Sequence, residues 1–368
     1  MNIIKDKDWD TLRRQYSWVA DMDGVPQSPV HHAEGDVATH TQMVLAALRS
    51  LPAYQALPAE AQEILWTAAL LHDVEKRSTT FTEPDGSIVS PGHARKGALT
   101  ARYLLYAQFG TGFTMREQIV NLVRYHGLPL WVMHKPDPQK ALLEASLHVN
   151  TELLYLLAQA DVLGRICADQ SEMLERIEFF KAYCIEQDCW AKAYSFSSGL
   201  ARFRYFRQQN SASPQYQPYD DTTCTVIVLC GLPGMGKDNY IQKTCKDWPQ
   251  VCPDAIRRQH RLKPEDRSAN GWVAQQAKEQ ARVNLRAGRD FVWNATNITR
   301  QMRNQLVDLF VSYGARVELV YIERPRASWE QQNAARTAAV PAAVLEKMLR
   351  KLEVPQLSEA HGVTYLCG

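Results

Sequence analysis

No stretch of this 368-residue chain approaches the unbroken apolar length that a membrane span needs. The first residues, Met1-Asn2-Ile3-Ile4-Lys5-Asp6, lack the apolar core of a secretory signal, so a cytoplasmic location is the expectation. The eight cysteines show no CxxC spacing, and Cys224 and Cys230 fall within one apolar run. Reduced thiols are therefore expected, rather than a zinc knuckle or a disulfide frame. The formal net charge of +2 is too small to announce a nucleic-acid partner, and any such binding must come from local patches. Internal repeats and low-complexity tracts are also absent. What remains, 45% hydrophobic and 22% charged, is the composition of an ordinary globular protein long enough for two or three domains.

The first part of the chain reads helical nearly throughout. Apolar residues recur at helical spacing around 37–50, 58–74, 93–107, 115–126 and 150–164. The segment Arg202-Phe203-Arg204-Tyr205-Phe206-Arg207 and the polar stretch Gln208 to Asp221 read as a linker over 201–221. Beyond it, strands are expected at 224–230, 250–253, 289–294 and 316–322. Helices are expected at 236–246, 271–286, 298–312 and 341–351. This alternation implies a parallel sheet flanked by helices. The fold class is thus multidomain, an all-α domain over 1–200 and an α/β P-loop domain over 222–368.

The helical part repeatedly places a metal-capable side chain on an apolar stripe. His40 shares a face with Met43, Val44 and Ala47; His72, followed by Asp73, shares one with Leu65, Ala68 and Ala69. His126 follows Ile119, Leu122 and Val123 at the same spacing, and Asp161 follows Leu154, Leu157 and Ala158. One such histidine is usually a satisfied core residue. Four such helices, two of them carrying a carboxylate, point instead to a divalent cation that neutralises buried charge.

The order His40, His72-Asp73, Asp161 resembles the HD phosphohydrolase superfamily, and His93 and His126 match the additional histidines of its two-metal members. The resemblance implies that His40, His72, Asp73, His93, His126 and Asp161 bind one or two divalent transition metals (Mn²⁺, Ni²⁺, Co²⁺ or similar). It also implies a phosphate-facing role for Lys76. His32 and Glu34 lie just upstream, where they can line the same pocket, with His32 a candidate substrate contact. Asp21-Met22-Asp23-Gly24-Val25 resembles the aspartate motif of haloacid-dehalogenase phosphatases. It lacks the preceding strand and the following β/α domain, so it reads as a polar turn.

The second half opens on a different chemistry. The apolar run Thr225 to Cys230 leads directly into Gly231-Leu232-Pro233-Gly234-Met235-Gly236-Lys237. A strand, a glycine-rich loop and a helix N-terminus together form a nest of backbone N–H groups for phosphate oxygens, with Lys237 at the β/γ phosphates. ATP or another nucleoside triphosphate with Mg²⁺ is the implied ligand. Asp238 stands where most such loops carry Ser or Thr, and it is expected to hold Mg²⁺ directly or through water.

Past the second expected strand, Asp254 faces the switch-point crevice as a candidate general base, and Arg257 is placed for an acceptor phosphate. Asp254 also fits a helix cap, and the arginines fit a solvated face. Asn333 and Arg336 share a helix face where they can close over the nucleotide, and Asn294-Ala295-Thr296-Asn297 adds polar groups at the same sheet edge. As a set, Gly231–Lys237, Asp254-x-x-Arg257 and Asn333-x-x-Arg336 with Val340-Pro341 resemble the polynucleotide 5′-kinase family. There the aspartate is the general base, the following arginine holds a phosphate of the acceptor, and the lid arginine contacts the donor.

The order of the two halves resembles the bacterial bifunctional HD–polynucleotide kinase end-healing enzymes. That resemblance implies phosphorylation of a 5′-OH and removal of a 3′-phosphate, 2′-phosphate or 2′,3′-cyclic phosphate on broken RNA or DNA. No Lys-x-Asp-Gly adenylation motif is present, so a separate ligase is the implied partner, with no membrane and a homo-oligomer left open. Arg257, Arg258, Arg261, Lys263 and Arg267 form a basic stretch beside the acceptor site. Arg202 to Arg207 suits either base stacking or, more readily, docking of the domains. Two other readings stay open: a small-molecule nucleotidase fused to a nucleoside or sugar kinase, and an HD phosphohydrolase regulated by ATP.

Overall fold

The computed structural model describes residues 3–207, 213–263, 266–336 and 339–368. The chain divides into two compact units, Met1–Ser195 and Phe196–Gly368. Among the described residues no helix is long and apolar enough to cross a membrane.

The first unit is helical, apart from a small antiparallel hairpin of β1 (Phe81–Thr82) and β2 (Ile88–Val89). Its centre is formed by helices Ala59–Leu71 and Thr151–Leu163, which are buried almost all round. Near-continuous apolar sequence explains this, since neither helix has a polar face to give to water. Asn150 caps the second of them by accepting from the N–H groups of Glu152 and Leu153. Helix Val37–Ser50, capped by Asp36, packs against both. Just past the end of Thr151–Leu163, a Cβ on Gly164 would lie 2.7 Å from Val44, so glycine is what lets that chain segment reach the neighbouring helix.

Helices His93–Ala107 and Phe113–Tyr125 pack face to face, and Glu117 is held between Arg102 and Arg116. Burial raises the Glu117 carboxyl, but the two guanidiniums outweigh it and hold its pKa down. Helices Pro138–Ser146 and Gln170–Glu186 also belong to the unit; neither is among the helices expected from the sequence. The Asp21–Asp23 segment forms the expected polar turn, with Asp21 paired to Arg77 and Asp23 to Arg13.

The second unit carries a five-stranded sheet in which every neighbouring pair is parallel. Its strands are β3 (Cys224–Cys230), β4 (Gln250–Val251), β5 (Phe291–Asn294), β6 (Ala315–Glu323) and β7 (Gly362–Cys367), in the order β4-β5-β3-β6-β7. The register pairs Leu229 with Asn294 and Cys230 with Tyr321, so the loop after β3 emerges where the strand order switches direction.

Two expectations need correcting here. The second strand stops at Val251, and Pro253 already opens helix Pro253–Gln259. The expected linker starts inside helix Gly199–Arg207, which folds into the second unit. Phe203 lies 4.2 Å from the His361 ring, and the Arg202 guanidinium donates to the carbonyls of Leu357 and His361. Phe203 and Tyr205 are buried, and Arg204 and Arg207 pair with Asp221 and Asp308 of the same unit, so these aromatics and arginines serve packing within the second unit. Residues 208–212 of the expected linker lie outside the described residues.

Candidate active sites

Three histidines in the helical unit sit at helix ends, and the same device orients each of them. His72 and His126 each follow the last residue of a helix, and His93 opens one. Their Nδ1 atoms face a carbonyl oxygen three residues earlier: Ala69 at 2.7 Å, Val123 at 2.9 Å and Ser90 at 2.7 Å. A carbonyl accepts only from N–H, so in the neutral ring the proton resides on Nδ1 and Nε2 keeps its lone pair. His40 follows the same logic, its Nδ1 lying 2.9 Å from Glu34 Oε1 and its Nε2 turned to Asp161 at 3.1 Å.

These lone pairs converge on Asp73. Its Oδ2 is 3.2 Å from His72 Nε2 and 3.8 Å from His40 Nε2, and its Oδ1 is 3.4 Å from His93 Nε2. His93 and His126 bring their Nε2 atoms within 3.3 Å of one another. Two facing lone pairs repel unless a cation lies between them. His72 Nε2 and Asp73 Oδ1 are buried without a hydrogen-bond partner, which is costly in a core and ordinary for metal ligands. Among the described residues the donor atoms form three metal-competent groups: His40-His72-Asp161 and Asp73-His93-His126 around Asp73, and His32-Glu34-His40 beside them. The sequence-expected set is thus brought together, and its imidazole and carboxylate donors suit a divalent transition metal.

The charges agree. Burial raises the carboxyls of Asp73 and Asp161, yet Lys76 beside the first and Arg165 beside the second hold both well below the usual range. Burial also opposes a charged His72, but the Asp73 and Asp161 carboxylates win and draw its pKa upward. The pocket therefore demands positive charge. Burial, reinforced by His93, depresses His126 to about 3, and burial with Lys76 does the same for His32. Both rings are accordingly neutral at pH 7, the form that ligates metal.

A cavity of about 200 Å³ lies over this cluster, lined in part by His32, Lys76, His93 and Arg165. Lys76 Nζ donates to Gln27 Oε1 and Asp73 Oδ2. Arg165 grips Asp161 through Nε at 3.1 Å and Nη2 at 2.6 Å. Sequence reasoning missed Gln27 and Arg165. The signal for Arg165 was its position four residues after Asp161. Glu34 bonds both His32 and His40, the carboxylate–histidine pairing that orients metal-ligating imidazoles.

The second cluster lies at the carboxyl ends of β3, β4 and β5. The loop Gly231 to Gly236 takes positive φ at Gly231, Gly234 and Gly236, and a Cβ on Gly231 would lie 2.5 Å from the Ile322 carbonyl oxygen. Buried Leu232 and Met235 anchor the loop from below, and Trp329 Nε1 donates to Pro233 O at 2.7 Å. Lys237 opens helix Lys237–Thr244, and its ammonium folds back onto the carbonyls of Gly231 and Leu232 at 2.9 and 2.8 Å. Burial, helped by Arg336, lowers its pKa to about 8 despite the nearby Asp238.

A cavity of about 330 Å³ joins Gly234, Lys237, Asp238, Asp254, Asn294 and Arg336. Asp238 accepts from Asn294 Nδ2 at 2.8 Å. Asp254 is exposed, and it does not cap its helix: that place belongs to Cys252. Arg257 is occupied by Asp254 and by Asn270 Oδ1, whereas Arg258 lines the cavity. Asn333 does not reach over the cavity. Its amide bonds both the carbonyl and the N–H of Val340, a backbone clamp instead of a ligand contact. Ala295 and Thr296 line the cavity, while Asn297 instead donates to Leu229 O. The side chain of Arg267 lies outside the described residues.

Comparison with known proteins places a family model described as an AAA domain on residues 226–355. Two curated relatives match over shorter spans. The Multifunctional CCA protein of Methylococcus capsulatus is 34% identical over 122 residues, 33% of this chain and 26% of that protein. The Multifunctional CCA protein of Halorhodospira halophila is 43% identical over 79 residues, 22% of this chain and 16% of that one. The chain thus spans about a quarter or less of the length of these relatives. Among solved structures, a sugar kinase from Janibacter sp. HTCC2649 superposes with a TM-score of 0.31 at 18% identity, over 39% of this chain and 85% of that one. The family match and the sheet order make the second unit a kinase-like P-loop domain, a fold that uses a nucleotide with Mg²⁺.

Proposed function

We propose that the chain is a bifunctional enzyme that heals broken nucleic-acid ends, RNA by preference, with one reaction in each unit. The observation that carries this reading is the pairing of two phosphate-handling clusters in one chain: imidazole lone pairs converging on Asp73, and a P-loop sharing its cavity with Asp254.

In the helical unit the substrate is a 3′-phosphate, 2′-phosphate or 2′,3′-cyclic phosphate. A divalent cation held by the histidine–aspartate cluster would lower the pKa of a water and offset charge on the phosphate. Lys76 and Arg165 neutralise the two buried carboxylates and border the cavity, where they can hold phosphate oxygens. Neutral His32 can do the same from the rim.

In the P-loop unit the loop amides and Lys237 hold the β and γ phosphates of ATP. Asp254 accepts the proton of the 5′-OH as its oxygen attacks the γ phosphorus. The bond from that phosphorus to the β–γ bridging oxygen breaks, and ADP leaves with the electron pair. Arg336 spreads positive charge over the transferring group. Arg258 replaces Arg257 as the better-placed contact for the acceptor backbone. A ligase that joins 5′-phosphate and 3′-OH ends is the implied functional partner.

The test supplies an RNA oligomer with 5′-OH and 2′,3′-cyclic phosphate ends, ATP, and Mg²⁺ with Mn²⁺ or Ni²⁺. Lys237→Ala and Asp254→Ala should each lower 5′ labelling by at least about 1,000-fold while sparing the 3′ end. His72→Ala should do the reverse. A folded single variant that loses both activities would refute the two-site scheme.

A further inference from the structure

The cavity above the histidine cluster has a feature that phosphate chemistry alone does not require. Besides its cationic residues, it is lined by Ile88, Met173 and Trp131. Trp131 ends the short helix Leu128–Trp131, whose other residues are buried, yet Trp131 itself is 44% exposed. The ring is nevertheless held in place. The Arg176 guanidinium lies 5.0 Å from its centroid, the His134 ring meets it edge-on at 5.4 Å, and Arg176 is itself paired with Glu172. An indole fixed by a cation and left half open to a cavity is a surface for another π system.

We propose that Trp131 is the platform on which the 3′-terminal nucleobase of a polynucleotide stacks while its phosphate lies against Lys76 and Arg165; this rests on the phosphohydrolase reading above. The argument is one of complementarity. A nucleotide end carries an anion and a flat apolar ring within one residue, and the cavity offers cations and an indole in the same lining. Inorganic phosphate or a phosphorylated peptide would use the cations and leave the indole idle. Stacking is tolerant of sequence, so the subsite should accept every base and favour the larger purines.

Two oligoribonucleotides test this, both ending in a 3′-phosphate and differing only in whether the last nucleotide carries a base. With Mn²⁺, Trp131→Ala should lower kcat/KM on the base-bearing end by about 5- to 100-fold, chiefly through KM, as expected for losing one base–aromatic stack. Trp131→Phe retains a π face and should recover most of that loss. The abasic end should change by less than about twofold. Fluorescence anisotropy of matching oligomers that end in a non-hydrolysable 3′-phosphonate, measured in Mn²⁺, should give the same ranking of Kd without turnover. Equal losses on both ends, or KM and Kd unmoved by Trp131→Ala, would overturn the stacking platform while leaving hydrolysis intact. A wild-type protein that hydrolyses neither oligomer would overturn the reading on which the platform rests.

Discussion

In the helical unit the candidate groups are side chains locked in place by burial; in the P-loop unit the loop offers mainly backbone, and the candidate side chains stand in solvent. His40, His72, Asp73 and Asp161 are no more than 2% exposed, whereas Asp254, Arg258 and Arg336 are exposed. Burying ionised carboxylates is expensive; Lys76 and Arg165 offset part of that cost, and a bound divalent cation would offset the rest. An exposed aspartate costs almost nothing to keep, and among the described residues Asp254 is held by its pair with Arg257 alone. Substitutions in the first site should therefore disturb metal retention and stability together, and those in the second should leave the apo fold intact.

The sharpest way to break this contrast is Asp73→Asn. Asp73 faces both histidine groups and pairs with Lys76, so its loss removes the charge that both donor sets share. Metal retained after desalting, measured by elemental analysis, should fall by more than the about 10–100-fold typical of losing an outer-shell partner. Glu34→Gln, which alters the carboxylate that orients His40 and His32, should stay within that range. An Asp73→Asn protein that keeps its metal would mean that Asp73 is merely a core residue.

The second unit has its own buried charge, placed away from the chemistry. Arg303 and Glu359 form a bidentate pair with both side chains fully buried, and Arg303 also donates to the carbonyls of Asn297 and Glu353. Glu359→Gln leaves that guanidinium without its counter-charge and should destabilise this unit by about 3–5 kcal/mol. Hydrogen exchange in β6 and β7 should report the loss, with exchange in Thr151–Leu163 unchanged. Equal loosening of both units would show that they do not unfold separately.

The two sites also differ in how much of them the sequence discloses. The P-loop is legible because strand, glycines and lysine are contiguous, and each glycine answers a local backbone demand such as the contact of Gly231 with Ile322. The histidine–aspartate set is scattered over more than a hundred residues, yet apolar periodicity exposes His40, His72, His126 and Asp161, since a polar group on such a stripe needs a reason. His93 lies on no such stripe and came only from the family resemblance. Arg165 escaped because it lies beyond the helix end, where periodicity stops. Strand β7 escaped because it is an edge strand with an intermediate and exposed burial pattern, giving little hydrophobic signal. Asn333 misled for another reason: helical spacing gives a face but not a partner, and the partner here is the backbone of Val340.

A smaller effect should sharpen the electrostatic side of the comparison. With the P-loop lysine near pKa 8 in the free protein, its ammonium is half lost at that pH. Phosphate bound beside it favours the charged form and raises the pKa, so ATP binding above pH 8 takes up a proton. Affinity should be flat below about pH 7 and fall by up to about tenfold per pH unit above 8. Calorimetry in buffers of different ionisation enthalpy would count the proton, and Lys237→Arg, which cannot titrate there, should abolish the uptake. Proton uptake that persists in Lys237→Arg would assign the linkage to another group.

The smallest expected change concerns Asp238, the one loop position that departs from the usual Ser or Thr. A carboxylate facing phosphates repels them unless a cation intervenes, and Asn294 fixes the orientation of this one by donating to it. If Asp238 helps to hold Mg²⁺, Asp238→Ser restores a weaker, neutral ligand. The Mg²⁺ concentration for half-maximal kinase rate should then shift upward by about three- to tenfold, with kcat at saturating Mg²⁺ changed less. Asp238→Ala removes the ligand altogether and should shift it further. A Mg²⁺ requirement identical in all three proteins would leave Asp238 as a partner of Asn294 alone, and the metal in this unit would then be held by the nucleotide phosphates without help from the helix that follows the loop.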